Sequence, residues 1–571
     1  MHVLGISCFY HDAAAALLRD GILVAAAEEE RFSRKKHDNG YPRQAIAFCL
    51  REAGISAREL DYAVFYEKPF VKFERILKTT LQTVPRSFKL FQTSMGSWLL
   101  DKLWVEELLR SDLGLPREKI FFADHHQSHA ASAFYCSPFN EAAVLTLDGV
   151  GEWACGTIGW GKGTTLVQSH EIRFPHSLGL LYSTFTAFLG FEVNEGEYKV
   201  MGMAPYGQPR HVEKIQRIAR IHPDGSLWLD LRYFEFHRST RRSFSSLFTE
   251  MFGPPRDPLR SDDLDPYYCD IAASIQRVTE EAVIAMSRHA LAQSGMDRLC
   301  YAGGVALNSA ANWRILQETP AQALFVQPAA GDSGGALGAA QHLYHGMLGR
   351  PRRFTMEHAY WGARCRDGDV VDFLRTQGIR FEVIDPTDRL TDRVVDLLTQ
   401  GKVIGWLQGR FEWGPRALGN RSILADPRRA EMKDVVNRKI KFREPFRPFA
   451  PSILAERSKE YFDLPPGALL PARFMLVVPP VRVERRKEIP AVTHVNGTGR
   501  LQTVEESTNP LYTRLIRKFD EATGVPVLLN TSFNLKGEPI VNTAAEAFST
   551  FQRSEMDGLV LENCLITQKA S

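Results

Sequence analysis

Short apolar runs separated by polar turns open the chain. Residues 2–7 (HVLGIS), 13–18 (AAAALL) and 22–27 (ILVAAA) have the length of strands, and the RDG between the second and third is a turn signal. Residues 41–54 (YPRQAIAFCLREAG) have helical spacing and end at a glycine. The pattern predicts a strand, a hairpin and then a helix.

The same pattern recurs further along the chain. Residues 142–149 (AAVLTLDG) predict a strand that ends at an Asp-Gly turn, and residues 157–172 predict a hairpin around GKG. A long helix is expected within 265–295, and residues 298–316 predict a strand, a glycine turn and a helix. This order favours an α/β fold with a mixed sheet, in which ligands bind at the carboxyl ends of strands.

A basic stretch without periodicity, residues 347–360, marks a domain boundary. We therefore predict one domain over 1–350 and a second over 351–571, because helix and strand patterns resume after the boundary.

Composition places the chain among ordinary globular proteins. It has 571 residues, 44% hydrophobic and 24% charged, with a formal net charge of +3. That charge gives no global attraction to nucleic acid or to a membrane, and no apolar run has the length of a membrane span. The eight cysteines form no CxxC pair, and the first residues lack the basic region of a signal peptide. We expect a cytoplasmic protein with reduced thiols.

A histidine pair is the first candidate for chemistry. His125 and His129 are four residues apart, which on a helix places both rings on one face, whereas His126 points elsewhere. A polar patch at a helix start is an equally good interpretation. Asp148 and Asp332 each follow a predicted strand, where an N-cap or turn role is the alternative. Nitrogen and oxygen ligands suit Fe²⁺, Zn²⁺ or Mn²⁺, but spacing alone does not bring the four together.

Glycine turns and a basic cluster are the other candidates. The segments AGGVALNSAAN and GDSGGALGAA place glycines between strand and helix, where they either expose N–H groups to an anion or allow tight packing. Between 409 and 447 lie eight arginines and three lysines against five acidic residues, among Gly, Pro, Trp and Phe. Arginines in such surroundings favour phosphate binding over a solvated surface, and a broad surface for nucleic acid is lacking.

Taken in order, these motifs resemble the NodU/CmcH carbamoyltransferase family, which includes tobramycin, cephamycin and nodulation-factor O-carbamoyltransferases. The segments that carry the resemblance span nearly the whole chain: GISCFYHDAAAALL, AAEEERFSRKKHD, DHHQSHAAS, LTLDGVGEW, GEYKVMGMAPYG, AGGVALNSAAN, GDSGGALGAA, GRFEWGPRALGNRS, FREPFRPFAPS and LLNTSFNLKGEPIV. The resemblance implies an actin-like ATPase fold, similar to a tRNA threonylcarbamoyl transferase, followed by an α/β domain similar to threonylcarbamoyl-AMP synthase.

The resemblance also implies a reaction. The C-terminal domain would join carbamoyl phosphate to ATP, with Mg²⁺, to give carbamoyl-adenylate and pyrophosphate. The N-terminal domain would transfer the carbamoyl group to a small hydroxyl-bearing acceptor, a natural product or sugar, and release AMP. The oligomeric state stays open, with a homodimer as one expectation.

Individual positions follow from the same resemblance. His125, His129, Asp148 and Asp332 match the metal ligands, expected to hold Fe²⁺ or another divalent metal, and His11 matches a general base. Gly303, Gly304 and Asn308 are expected to contact the adenylate. The positions expected to bind carbamoyl phosphate or ATP are Lys36, Arg416, Lys441, Arg443, Arg447, Arg500, Asn530, Ser532 and Asn534.

Two other functions remain open from the sequence. The two-domain resemblance alone also suits a tRNA threonylcarbamoyladenosine-type enzyme. The N-terminal strand and glycine pattern also suits an actin-like sugar kinase or ATP-binding protein, which leaves the arginine cluster unexplained. Residues 65–115 and 210–265 match no motif and leave the acceptor unidentified.

Overall fold

The computed structural model describes residues 1–85, 87, 89, 91–92, 98, 102–239, 241–260 and 264–569. The remaining positions fall in the two stretches without a matching motif or at the end of the chain. The chain divides into two compact units. Unit 1 consists of Met1–Glu29 and Asn39–Met356, and unit 2 consists of Glu30–Asp38 and Glu357–Ser571.

Unit 1 begins with a five-stranded mixed sheet of order β3-β2-β1-β4-β5. β1, β2 and β3 pair antiparallel, whereas β4 and β5 run parallel to β1. The strands are β1 His2–Ser7, β2 Ala14–Arg19, β3 Ile22–Glu28, β4 Tyr62–Phe65 and β5 Ile120–Phe122. The expected hairpin is thus confirmed, with its turn at Asp20 and Gly21.

A second sheet in unit 1 repeats this topology. Its order is β12-β11-β6-β7-β8, with β6, β7 and β8 antiparallel and β11 and β12 parallel to β6. A separate hairpin pairs β9 with β10. The strands are β6 Glu141–Leu147, β7 Ala154–Lys162, β8 Thr165–Arg173, β9 Ala219–Ile221, β10 Leu227–Leu229, β11 Arg298–Ala302 and β12 Ala323–Phe325. The duplicated mixed sheet confirms the expected actin-like α/β class.

Helices surround these sheets. The described helices of seven residues or more in unit 1 are α1 Arg43–Ala53, α2 Pro69–Thr83, α3 Val105–Leu113, α4 His125–Phe134, α5 Leu178–Phe188, α6 Glu197–Met203, α7 Val212–Ile218, α8 Ser246–Phe252, α9 Pro266–Ser294, α10 Ser309–Glu318 and α11 Asp332–Gln341. α1 ends at Gly54 in the left-handed conformation, φ 67°, as its C-terminal glycine predicts.

Small residues let α11 pack at the centre of unit 1. Every residue of α11 is buried. A Cβ added at Gly338 would lie 1.8 Å from the carbonyl oxygen of Ser128 in α4, and one added at Gly5 in β1 would lie 1.8 Å from that of Ala336. The glycines at 334, 335 and 338 of GDSGGALGAA therefore serve tight packing, the alternative that the sequence left open against an anion-binding turn.

Unit 2 is built on an eight-stranded mixed sheet of order β13-β20-β19-β14-β15-β18-β16-β17. Its strands are β13 Glu382–Val383, β14 Ile404–Leu407, β15 Arg421–Ala425, β16 Ala450–Leu454, β17 Gln502–Val504, β18 Val527–Ser532, β19 Gly558–Leu561 and β20 Cys564–Ile566. Its described helices of seven residues or more are α12 Asp367–Thr376, α13 Thr387–Thr399, α14 Pro510–Thr523 and α15 Ala544–Gln552. All residues of β14, β15 and β16 are buried in the core of this unit.

The segment Glu30–Asp38 belongs to unit 2 although it comes early in the chain. Arg31 donates a hydrogen bond to the carbonyl oxygen of Gly414 (2.7 Å). Arg34 donates to the carbonyl oxygens of Ile540 (2.7 Å) and Pro539 (2.9 Å). Within the described ranges, no helix combines the length and the apolar character needed to cross a bilayer.

Candidate metal centre and cationic site

Helix α4 carries the histidine pair. It begins at His125, whose backbone N–H donates to the Glu152 carboxylate at 3.1 Å. His125 and His129 are both fully buried and lie on one face, as their spacing predicts. His126 points elsewhere, with its Nδ1 2.6 Å from Thr146 Oγ1. The pair is therefore not a solvated polar patch.

The two aspartates meet this pair. Asp148 follows β6, and Asp332 is the first residue of α11. Asp148 Oδ2 lies 3.0 Å from His125 Nε2 and 3.4 Å from His129 Nε2. Asp332 Oδ1 lies 3.6 Å and 3.5 Å from the same two nitrogens, which are 3.0 Å apart. One atom from each of the four side chains thus converges on a single point within unit 1.

The arrangement fits a divalent cation. Four ligands at about 2.1 Å from one tetrahedral ion lie about 3.4 Å from each other, close to the 3.0–3.6 Å measured here. The Oδ2 atom of Asp332 is buried and has no hydrogen-bond partner among the described residues. The four atoms are nitrogen and oxygen without thiolate, a set that suits Fe²⁺, Zn²⁺ or Mn²⁺.

The two histidines of this cluster favour the ionised form of Asp148. Burial alone would lower the pKa of His125, but Asp148 and Glu67 raise it to about 10. Burial would raise the pKa of Asp148, but His125 and His129 hold it well below its usual range. Without a metal the cluster binds protons, and a metal would displace them.

A second layer of charges supports His125. Glu67 Oε2 lies 3.6 Å from His125 Nδ1 and 2.5 Å from Lys72 Nζ, and both Glu67 and Lys72 are buried. Burial opposes ionisation of Glu67, but Lys72 and then His125 lower its pKa to about 2. A carboxylate behind a metal-binding histidine fixes the ring orientation. Sequence reasoning missed Glu67, Lys72 and Glu152.

The turn after β11 adjoins the same centre. The backbone N–H of Gly304 donates to Asp148 Oδ1 at 3.1 Å. Gly303 has φ 93°, and a Cβ there would lie 2.1 Å from the carbonyl oxygen of Leu147. Asn308 caps α10 by accepting the Ala311 N–H. The structure thus places Gly303 and Gly304 beside Asp148, with Asn308 at the start of the helix that follows them.

His11 lies between β1 and β2 and is half-buried. Its ring packs edge-on against Tyr10, with 4.4 Å between the ring centres. Burial and then Asp148 raise the pKa of Tyr10, while Arg75 opposes this rise. The charge of Asp148 thus acts on the tyrosine whose ring packs against His11.

Lys441 is the centre of the cationic site in unit 2. It ends a π-helical segment, Val436–Lys441, and is only 4% exposed. Its Nζ donates to the carbonyl oxygens of Ser532 (2.8 Å) and Asn534 (2.9 Å) and to their side-chain oxygens at 3.2 Å and 2.6 Å. Three of the positions expected to bind carbamoyl phosphate or ATP, Lys441, Ser532 and Asn534, thus meet at this ammonium group.

Other cations crowd this lysine. Burial and then Arg443, Arg447 and Lys36 lower the pKa of Lys441. Arg443 donates to Asn437 Oδ1 at 2.8 Å, and Arg447 lies 3.4 Å from Glu444. So many cations in one buried place favour an anionic ligand.

Arg416, Arg500 and Asn530 form the second part of this site. Burial and then Arg500 lower the pKa of Arg416. Asn530 Nδ2 donates to Gln502 Oε1 at 2.9 Å and, more weakly, to the Ala417 carbonyl oxygen next to Arg416. Asn530 and Ser532 are two residues apart on β18, so their side chains share one face.

Glu412 shapes the loop that carries Arg416, and sequence reasoning missed it. It is 2% exposed, and its Oε1 accepts the backbone N–H groups of Leu418 (2.7 Å), Asn420 (2.9 Å) and Arg421 (3.2 Å). In the sequence, the signal available for Glu412 was an acidic residue inside a basic segment.

The fold and these two clusters define the class of protein: an α/β protein with a candidate metal centre in unit 1 and a candidate anion site in unit 2. Sequence comparison identifies the family. Residues 2–341 match the model of the carbamoyltransferase N-terminus, and residues 395–568 match that of the carbamoyltransferase C-terminus. The chain therefore belongs to the carbamoyltransferase family and is a transferase, which confirms the resemblance drawn from its motifs.

The chain is also similar to individual proteins. The chain is 46% identical to the uncharacterized protein sll1178 of Synechocystis over 100% of this chain and 97% of that protein. It is 39% identical to the nodulation protein NolNO of Sinorhizobium fredii over 99% of this chain and 80% of that protein. Among solved structures, an ROK hexokinase from Thermus thermophilus aligns with a TM-score of 0.30 at 16% identity, covering 61% of this chain and 100% of that one.

Proposed function

We propose that this carbamoyltransferase works in two steps, one in each unit. Unit 2 converts carbamoyl phosphate and ATP into carbamoyl-adenylate and pyrophosphate. Unit 1 transfers the carbamoyl group to a hydroxyl of a small acceptor, a natural product or sugar, and releases AMP. Mass balance for the first step consumes one water and also releases inorganic phosphate. The observation that carries this proposal is the presence of two chemically different buried sites.

The cationic site suits the first step. Carbamoyl phosphate and ATP are both anions and repel each other. Lys441, Arg443 and Arg447 supply positive charge that is already in place and needs little reorganisation when the anions bind. Arg416 and Arg500 supply more beside Asn530. Mg²⁺ would accompany the ATP in this step.

The four-ligand centre suits the second step. A divalent ion, Fe²⁺ or another, held by His125, His129, Asp148 and Asp332 would supply Lewis-acid chemistry at the carbamoyl carbonyl or the adenylate phosphate. The turn at Gly303 and Gly304, with Asn308, would hold the adenylate. His11 would accept the proton of the acceptor hydroxyl, since imidazole titrates near neutral pH.

The first step is tested by product analysis. The protein should release pyrophosphate only when ATP and carbamoyl phosphate are both present. Lys441→Met should lower this rate at least 10-fold, whereas Lys459→Met, an exposed lysine of the same unit, should not. No pyrophosphate and no AMP with both substrates would refute adenylation. ADP as product would favour a kinase, and dependence on threonine, bicarbonate and tRNA would favour tRNA modification.

The second step is tested by separating the partial reactions. His129→Ala should remove bound metal and carbamoyl transfer to an acceptor panel, measured by mass spectrometry, while pyrophosphate release continues. His170→Ala, an exposed histidine on β8, is the matched control and should retain both activities. Equal loss of both partial reactions in His129→Ala would contradict two separate sites.

A further inference from the structure

Two buried cations on helix α2 adjoin the four-ligand centre. Lys72 and Arg75 are three residues apart on the same face and are only 3% and 7% exposed. A buried cation is unfavourable unless a partner compensates its lost hydration. The partners of these two side chains therefore show what each one does.

Lys72 is compensated within the protein. Its Nζ lies 2.5 Å from Glu67 Oε2 and 4.1 Å from the centre of the Tyr10 ring. Since Glu67 faces His125, Lys72 holds the carboxylate that lies behind the histidine pair.

Arg75 is not compensated in the same way. Its guanidinium lies over the Phe174 ring at 4.8 Å, but it forms no ion pair or hydrogen bond with any described residue. Its Nε is buried and unpartnered within that part of the chain. Two other arginines differ. The half-buried Arg352 donates three hydrogen bonds to backbone carbonyl oxygens, and the buried Arg421 donates four.

The position of Arg75 links it to the transfer chemistry. Burial lowers the pKa of Arg75, while Tyr10 and then Cys155 oppose this effect. The carbonyl oxygen of Cys155 accepts the backbone N–H of Asp148 at 2.9 Å, and Tyr10 packs against His11. Arg75 also follows Lys72 by three residues on α2, and Lys72 pairs with Glu67, which faces His125. Arg75 therefore lies on the helix face that adjoins the four-ligand centre.

We propose that Arg75 binds an oxyanion of a substrate beside the four-ligand centre, through guanidinium N–H groups that no described residue uses. Guanidinium groups bind phosphate or carboxylate through two parallel hydrogen bonds. The oxyanion belongs either to the phosphate of the adenylate donor or to an anionic group of the acceptor. This inference rests on the proposed function and adds a substrate-binding residue to it.

The test compares Arg75→Met with the parent chain by calorimetric titration of AMP, adenosine and inorganic phosphate. Each titration is repeated after Lys441→Met has been added to the parent chain and to Arg75→Met. Binding that Lys441→Met removes is then assigned to unit 2, and the remaining binding to unit 1. We expect AMP affinity to fall about 10- to 100-fold, adenosine affinity to stay unchanged, and Arg75→Lys to fall in between. The control is Arg110→Met, which replaces an exposed arginine on α3 and should leave the affinities for AMP, adenosine and phosphate unchanged.

Thermal unfolding separates this role from a structural one. Met replaces a buried charge that has no ion pair or hydrogen bond among the described residues with an apolar side chain of similar length, so Arg75→Met should unfold at the same or a higher temperature. A lower unfolding temperature with equal losses for AMP and adenosine would overturn the proposal, as would unchanged affinities for AMP and phosphate. A loss for phosphate alone would support the oxyanion site and assign it to the acceptor.

The two proposals fail in different ways. Absence of pyrophosphate release in the parent chain would refute the proposed function. Normal pyrophosphate release in both chains, with unaltered AMP and phosphate binding, would refute only the role of Arg75.

Discussion

Gly338 offers a direct test of how the four-ligand centre is held together. It lies on α11, which begins with Asp332, and it faces Ser128 on α4, which carries both histidines. In Gly338→Ala the new Cβ would lie 1.8 Å from the Ser128 carbonyl oxygen and 2.9 Å from Ser132 Cβ. Because non-bonded atoms in contact lie about 3.5 Å apart, the helices must separate by roughly 1.5 Å.

Two measurable consequences follow from that separation. Overpacking against a backbone atom that cannot rotate away should cost about 3 kcal/mol in the free energy of unfolding. Metal-binding sites tolerate ligand displacements of about 0.2 Å. A shift of roughly 1.5 Å between the histidines and Asp332 should therefore lower metal affinity at least about 10-fold.

The assay is denaturant unfolding in the presence of a chelator, followed by equilibrium metal binding. Gly331→Ala is the matched control, because this glycine immediately precedes Asp332 and a Cβ there would have no neighbour within 4 Å. Gly338→Ala and Gly331→Ala with equal unfolding midpoints and equal metal affinities would refute the argument that close helix packing positions the ligands.

Three further predictions concern unit 2. Glu412→Ala should cost about 3 kcal/mol or more, measured by denaturation, because three buried N–H groups lose a charged acceptor, and Glu412→Gln should restore part of it. Lys441→Met should raise the KM for ATP about 10- to 100-fold in the pyrophosphate assay, and Lys441→Arg should not rescue it, since a planar fork does not replace a compact ammonium. Burial raises the pKa of Glu562 to about 7, so the folded state binds its proton more tightly and Glu562 destabilises the fold as pH rises from about 4.5 to 7. Glu562→Gln should therefore gain up to about 3 kcal/mol in relative stability at pH 8 over pH 5, and a pH-independent difference would contradict this sign.

Local signals in the sequence were sufficient to predict the first hairpin, the end of helix α1, the GKG hairpin and the histidine pair. The turn at residues 19–21, the glycine after α1 and the GKG hairpin each act within a few residues, and all three appear in the structure. The spacing of His125 and His129 needs only the pitch of one helix. No local pattern brings Asp148 and Asp332 to this pair, because Asp148 follows strand β6 and Asp332 depends on the packing of α11 against α4.

The sequence also concealed the duplicated sheet and the charged layer behind His125. The two sheets share strand order and direction, which are properties of pairing rather than of residue type. Lys72 and Arg75 occupy the buried face of α2, where periodicity predicts apolar residues. Cations at apolar positions of a helix were therefore the signal that could have located this layer.

The excursion of Glu30–Asp38 into unit 2 has a consequence for how this chain can be made and divided. During synthesis these nine residues emerge long before the rest of unit 2, so unit 2 completes its hydrogen bonds to Arg31 and Arg34 only when Gly414 and then Ile540 have been added. A fragment beginning at Glu357 would lack those two arginines and Lys36. An independently expressed second half therefore needs this peptide supplied in trans or grafted through a linker.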